Sequence, residues 1–336
     1  MNESDSLPDQ SRRPPKRAED FLNGGFGLVS VEEALTDGIV LLDVRTAEEF
    51  AEGSVPDALS RPLFDNMERA EIGTIYKQIG RDDAVEKGLE FFEPRIQQFL
   101  SSISDIKSQQ IVVFCARGGM RSSSVVRLLQ HHGFRVAQMQ GGYKKYRQFV
   151  LQKLYNPMPP LIVLHGQTGV GKTLLLKKLP DHLDLEDLAQ HRSSLFGAIN
   201  KTPRTQKNFE AQLVQKLRTL PEAHPLFVEG ESRKVGPVYI PETLTCFMKT
   251  GRKVLLTASL DTRVRRILSE YAVKDSETLR KVDAILKTLK QQLSKKLVNH
   301  LCNCLKQGEF KEFVTILLKE YYDPKYQYGM QNYRYE

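Results

Sequence analysis

The segment LIVLHGQTGVGKTLLLKKL, Leu161 to Leu179, constrains this chain more than any other. Leu161 to Leu164 form an apolar, partly β-branched run that reads as a buried strand. Leu174, Leu175, Leu176 and Leu179 read as the start of a helix. Between them, Gly166, Gly171, Lys172 and Thr173 fit the spacing G-x-x-x-x-G-K-[ST], in the strand–loop–helix context that this spacing requires. Gly166, Gly169 and Gly171 free backbone N–H groups to surround a diphosphate. Lys172 neutralises phosphate oxygens, and the Thr173 hydroxyl is a candidate ligand for Mg²⁺. A phosphate cradle of this kind specifies neither a nucleotide nor hydrolysis.

A second strand–loop–helix unit lies upstream in FCARGGMRSSSVVRLL, Phe114 to Leu129. Ile111 to Phe114 read as a buried strand, and Ser122 reads as the N-cap of a helix carrying Val125, Val126, Leu128 and Leu129. Cys115 ends the strand. Gly118 and Gly119 let the loop turn its N–H groups inward, the helix dipole adds positive potential, and Arg117 and Arg121 add full charges. A thiol in that setting should have a depressed pKa and act as a nucleophile near neutral pH, or carry a sulfur or selenium atom. The bland alternative is a small buried strand residue.

The rest of the chain fits an α/β protein of two domains. Its 336 residues exceed one typical domain, and 40% of them are hydrophobic. Strands alternate with helices from GIVLLDVRTAEEF (Gly38 to Phe50) through FRVAQMQGGYKKYRQFVLQKL (Phe134 to Leu154), and the long segment Phe64–Ile103 is helical by period. YNPMPP, residues 155–160, is a proline-rich linker. The first twenty residues are polar and expected to be disordered. Four cysteines form no CxxC pair and read as reduced thiols. Cys302 and Cys304 read as helix residues without metal-ligand partners. With no apolar leader and no apolar run of membrane-spanning length, a soluble cytoplasmic protein is expected. The net charge of +8 suits an anionic partner such as nucleic acid.

Further candidate site residues follow the phosphate loop. PLFVEGESRKVG (Pro225 to Gly236) is a buried strand ending in Glu229, where a P-loop fold often keeps an acid near the metal, followed by Glu231 and Arg233. DLEDLAQHR (Asp184 to Arg192) brings Asp184, Asp187, His191 and Arg192 to another strand end, where open α/β sheets bind ligands. Arg204 is a nearby cation. RVRRIL (Arg263 to Leu268) and Leu279–Leu301, read as one lysine-rich helix, are amphipathic. In the latter, Leu279, Val282, Ile285, Leu286, Leu289, Leu293 and Leu297 form an apolar stripe and the lysines face outward.

Together LLDVR, EEFAEGSVPDA and the Cys115 loop resemble a rhodanese domain, the fold that carries sulfur as a cysteine persulfide. With ERAEIGTIYKQIG, CARGGMRS, QGGYKKYR, the P-loop, DLEDLAQHR and VEGESRKVG, the chain resembles the tRNA 2-selenouridine synthase family. Ser193 departs from the glycine expected after QHR, and His165 and Gln167 flank the first P-loop glycine. The resemblance implies an N-terminal rhodanese-like parallel α/β domain (residues 21–154). After the linker follow a P-loop NTPase-like α/β domain (161–300) and a helical C-terminal extension (301–336). It implies action on tRNA carrying wobble 2-thiouridine, through an S-geranyl-2-thiouridine intermediate, with geranyl diphosphate and selenophosphate as substrates. An enzyme supplying selenophosphate is then an expected partner; no tightly bound cofactor is expected, and Mg²⁺ stays a candidate at Thr173. Cys115 would carry selenium, Arg117 and Arg121 would steady anionic intermediates, and Gly166 to Thr173 would hold the diphosphate. Two rivals remain at this point: an ATP-dependent kinase or NTPase fused to a sulfurtransferase domain, and a non-catalytic RNA-binding or redox-sensing module.

Overall fold

A computed structural model describes residues 27–220, 224–270, 276–289, 292–330 and 334–335. The expected polar tail, residues 1–20, lies outside them. The chain divides into two compact units, Met1–Phe149 and Val150–Glu336.

In the first unit, strands β1 (Leu28–Val29), β2 (Ile39–Asp43), β3 (Leu59–Ser60), β4 (Gln110–Phe114) and β5 (Arg135–Met139) form one parallel sheet in the order β1-β5-β4-β2-β3. Apolar runs such as IVLL and IVVF sit inside the sheet because both faces are covered. Leu42, Ile111, Val113, Val125, Val126, Leu129 and Val136 meet in one buried core.

The LLDVR motif is explained by an ion pair. Asp43, at the end of β2, is fully buried, and Arg45 is 3% exposed. The Arg45 guanidinium donates to both carboxylate oxygens of Asp43 and to the Gly53 carbonyl, and it stacks 3.9 Å from the Tyr143 ring centroid. The Ser54 hydroxyl donates to the same carboxylate at 2.7 Å. This network ties the end of β2 to the loop after the helix Ala47–Glu52 and to the helix Gly142–Leu154.

In the second unit, β6 (Leu161–His165), β7 (His182–Leu183), β8 (Leu226–Glu229) and β11 (Arg252–Leu255) form a parallel sheet in the order β11-β6-β8-β7. The antiparallel pair β9 (Lys234–Val235) and β10 (Val238–Tyr239) stands apart from it. Helices Leu260–Glu270, Ser276–Thr288, Lys295–Gln307 and Phe310–Leu317 close around a second core of Val282, Leu286, Leu301, Phe313 and Leu318.

Two local expectations are corrected. The helix after Cys115 begins at Met120 with Gly119 as its N-cap, so Ser122 lies in the first turn and does not cap it. Met120 and Arg121 therefore belong to the helix, not to the loop. The stripe from Leu279 to Leu297 is two helices, not one. Ser294 accepts from the Leu297 N–H and starts the second. The stripe stays in phase because both helices pack on the same core.

Asp43→Ala should leave Arg45 as an unpaired buried charge and cost the first unit roughly 3–5 kcal/mol. Chemical denaturation of the full chain measures this, and a loss below about 1 kcal/mol would contradict the role assigned to the pair.

Candidate functional site

The first site is the end of β4. Cys115 is 3% exposed. Its carbonyl accepts from the Tyr143 N–H at 2.9 Å, which draws the Gly141–Gly142 turn against the thiol loop. The approach is close enough to require glycine. Gly142 has φ +56°, and a Cβ there would lie 2.2 Å from the Cys115 carbonyl oxygen. This accounts for the QGGY motif.

Burial raises the Cys115 pKa, but four stabilising contacts outweigh it and the thiol lies below its ordinary value. They are the Ser122 hydroxyl, the backbone N–H groups of Arg117 and Ser122, and the Arg121 charge. Arg121 is held by Glu49 at 2.8 Å. Glu49 itself completes a capping box with Thr46, which fixes its position. Burial pushes the Glu49 carboxyl up, and Arg121, the Thr46 N–H and Arg69 together more than reverse it. The Arg117 side chain is exposed, so this residue reaches the sulfur through its backbone.

The second site is a cleft of about 390 Å³ over the loop between β6 and the helix Lys172–Leu176. Gly169 (φ +78°) and Gly171 (φ +91°) adopt backbone conformations that side chains disfavour, and Gly169 packs where a Cβ would meet the Arg263 carbonyl at 2.9 Å. The Lys172 ammonium donates to the Gly166 carbonyl at 3.1 Å. The Thr173 hydroxyl donates to Glu229 at 3.3 Å. Glu229 is fully buried at the end of β8, and its other oxygen accepts from the Glu186 N–H.

Glu186, Glu229 and Glu231 bring carboxylate oxygens within 4.8 Å of one another. Burial is the largest cause that raises all three above the usual carboxylate range, Glu186 to about 7; repulsion from Glu231 adds to it at Glu186, repulsion from Glu186 and Glu231 at Glu229, and repulsion from Asp184 at Glu231. Burial lowers Lys172, but Tyr326 and the three glutamates more than restore its charge. Hard oxygen donors beside a phosphate loop fit Mg²⁺. His165 is pulled down to about 4 by burial and by Lys253 and Lys172, so it is neutral at pH 7.

The structure brings Gly169, Gly171, Lys172, Thr173, Arg192, Glu229 and Glu231 to this cleft. Arg192 is paired there with Glu270 at 2.6 Å. Other candidates have different surroundings. Asp187 is exposed on the turn capped by Asp184. Arg204 donates to the Asp187 and Leu188 carbonyls and so closes that helix. Arg233 is exposed. The His191 ring packs on Gly236, where a Cβ would lie 2.3 Å from it.

Glu186, Arg266 and Tyr326 line the cleft and were not singled out in the sequence. Glu186 stood inside DLEDLAQHR between two more conspicuous aspartates. Arg266 stood in a basic run, and no local signal marks Tyr326. Arg263, from the same run, donates to the Thr168 carbonyl and Gln167 and is paired with Asp323, so it braces the phosphate loop.

Beside the cleft lies an apolar cavity of about 370 Å³ among the C-terminal helices, lined by Phe196, Phe310, Phe313, Leu317 and Tyr322. Thr168, Ser194 and Ile267 border both spaces. The reading that Cys304 lacks ligand partners is corrected: His300, Cys304 and Glu312 place ligand atoms within 4.8 Å of one another, because helix spacing and the turn at Gly308 bring them together.

A thiol loop on one parallel sheet and a phosphate loop on another define a rhodanese-like unit joined to a P-loop unit. Family profiles divide the chain in the same way: residues 29–149 match the rhodanese-like domain and residues 159–336 match the tRNA 2-selenouridine synthase AAA domain. The tRNA 2-selenouridine synthase of Hydrogenovibrio crunogenus is 34% identical over 333 residues, covering 89% of this chain and 91% of the relative. That of Marinobacter nauticus is 33% identical, covering 87% and 88%. This chain belongs to the tRNA 2-selenouridine synthase family. No helix among the described residues is long and apolar enough to cross a membrane.

The three-glutamate cluster makes a pH-dependent prediction. A carboxyl raised to about 7 keeps its proton in the folded state over a window where the unfolded chain loses it. Stability therefore falls as pH rises from about 4.5 to 7. In chelator-treated protein, Glu186→Gln should raise Tm by about 2–4 °C at pH 8, the shift that about 1 kcal/mol gives a domain this size. It should raise Tm little at pH 5. Thermal denaturation at both pH values checks this; equal shifts would contradict it.

Proposed function

We propose that the chain converts 2-thiouridine in tRNA to 2-selenouridine in two steps, one at each site, with an S-geranyl intermediate. In the first step the thiocarbonyl sulfur attacks C1 of geranyl diphosphate. The S–C1 bond forms, the C1–O bond breaks, pyrophosphate leaves with the bonding electrons, and the N3 proton of the base passes to solvent. Lys172 and the backbone N–H groups from Gly166 to Thr173 neutralise that leaving group. Thr173, Glu186, Glu229 and Glu231 would hold Mg²⁺, which supplies further neutralisation when bound. In the second step, hydrolysis of the P–Se bond of selenophosphate releases phosphate and hydrogen selenide at the Cys115 loop, and the selenide adds to C2 of the base while its proton passes to N3. The C2–Se bond forms, the C2–S bond breaks, and geranylthiolate leaves. Alkylation thus turns a poor leaving group into a better one.

One observation carries the choice of a prenyl diphosphate over a nucleotide: the phosphate cleft borders an apolar cavity of about 370 Å³. That volume lies in the range of small-molecule sites, and its lining suits a hydrocarbon tail better than an adenine base. The basic chain, at net charge +8, suits tRNA.

Calorimetry and a nucleotide-free geranylation assay test this reading. Geranyl diphosphate should bind in competition with pyrophosphate, and geranylation of 2-thiouridine tRNA should proceed without ATP. Lys172→Ala should weaken geranyl diphosphate binding by about 10- to 100-fold, as expected for losing a charge-assisted contact. Tight ATP binding with a strict ATP requirement would instead favour the kinase reading.

A further inference from the structure

We propose that Gln138, on β5, is a positioning residue that aims the Ser122 hydroxyl at the Cys115 sulfur. Gln138 is 2% exposed and Ser122 is fully buried. The Gln138 amide nitrogen donates to Ser122 Oγ at 2.8 Å and to the Gly118 carbonyl at 2.7 Å. The amide orientation follows from these partners, because a flipped amide would set its oxygen against the carbonyl oxygen of Gly118.

A serine hydroxyl has one proton and two lone pairs. The bond from Gln138 occupies a lone pair, so the proton must go elsewhere. Two acceptors are in reach: the Gly119 carbonyl at 3.1 Å and Cys115 Sγ at 3.2 Å. Charge on the sulfur decides between them. A thiolate attracts the proton as a charge-assisted bond. A sulfur neutralised by a covalent substituent releases it to the Gly119 carbonyl. The loop can then follow the charge state of Cys115 by rotation of one hydroxyl, with no backbone movement.

The other groups around the sulfur are fixed by contacts of their own. Arg121 is paired with Glu49 from the helix Ala47–Glu52. Asp43 and Arg45 pair with each other at the end of β2. The Tyr143 ring, from the helix Gly142–Leu154, stacks on Arg45. Arg117 presents its backbone N–H. Gln138 adds no charge, so its effect on the thiol must pass through Ser122 and the loop carbonyls. This inference does not depend on what the phosphate cleft binds.

The test is the pH dependence of Cys115 alkylation by iodoacetamide in the full chain, read on the Cys115 peptide by mass spectrometry. Ser122→Ala and Gln138→Met should each raise the apparent pKa of Cys115 by about one unit, the size of one lost hydrogen bond to a charged group. The double variant should rise no further than Ser122→Ala alone, because both changes remove the same contact. Ser122→Thr keeps a hydroxyl and should stay near the parent value. If Gln138→Met does not fold by circular dichroism, Gln138→Asn keeps the amide but shortens its reach, and the same rise is expected. An unchanged pKa in a folded Gln138 variant with a lowered Tm would assign Gln138 to packing and overturn the proposal. Additive shifts in the double variant would overturn it as well.

Discussion

The fully buried carboxylate of Glu229 is the constraint on which the second unit turns. A buried acid needs compensation, and here it comes from the Thr173 hydroxyl, the Glu186 N–H and the nearby Lys172. Yet Glu186 and Glu231 crowd the same space, so the local charge favours protons or cations. This arrangement links the ends of β6 and β8 and the start of the helix Leu185–Ala189 in one polar cluster. A phosphate-bearing ligand with a divalent cation would relieve the repulsion among the acids and would engage Lys172.

The first unit solves a related problem with the opposite sign. Its buried thiol sits at a strand end among backbone N–H groups and an arginine, which hold its pKa below that of an ordinary cysteine. Glycine makes this geometry attainable, since the Gly142 backbone approaches the Cys115 carbonyl more closely than any residue with a Cβ would permit. In both units the reactive groups stand at the C-terminal ends of parallel strands, where the first backbone N–H groups of the following helix have no partner within the helix.

The parallel strands were legible in the sequence because their apolar runs are continuous and bounded by turn residues, as in IVVFC and LIVLHG. The phosphate loop and the thiol loop were legible because each joins such a run to a helix. The helix boundaries were harder to read. Ser122 has the chemistry of an N-cap, yet Gly119 takes that place and Ser122 turns inward to the sulfur. The break between Thr288 and Ser294 was hidden because the apolar stripe keeps its phase across it. Asp187, Arg204 and Arg233 carry suitable charges at strand ends, but local caps and solvent account for their surroundings. Tyr326 lies more than 150 residues from Lys172 in the chain, and only tertiary packing brings its ring to 5.7 Å from the lysine ammonium.

Mass spectrometry of tRNA nucleosides, from cells that rely on single-residue variants of this chain, tests the division of labour between the two sites most directly. The account predicts that Cys115→Ala abolishes 2-selenouridine while S-geranyl-2-thiouridine still forms. It predicts that Lys172→Ala leaves 2-thiouridine unmodified, with neither product. Normal 2-selenouridine from the Cys115→Ala chain, or undiminished geranylation by the Lys172→Ala chain, would contradict it.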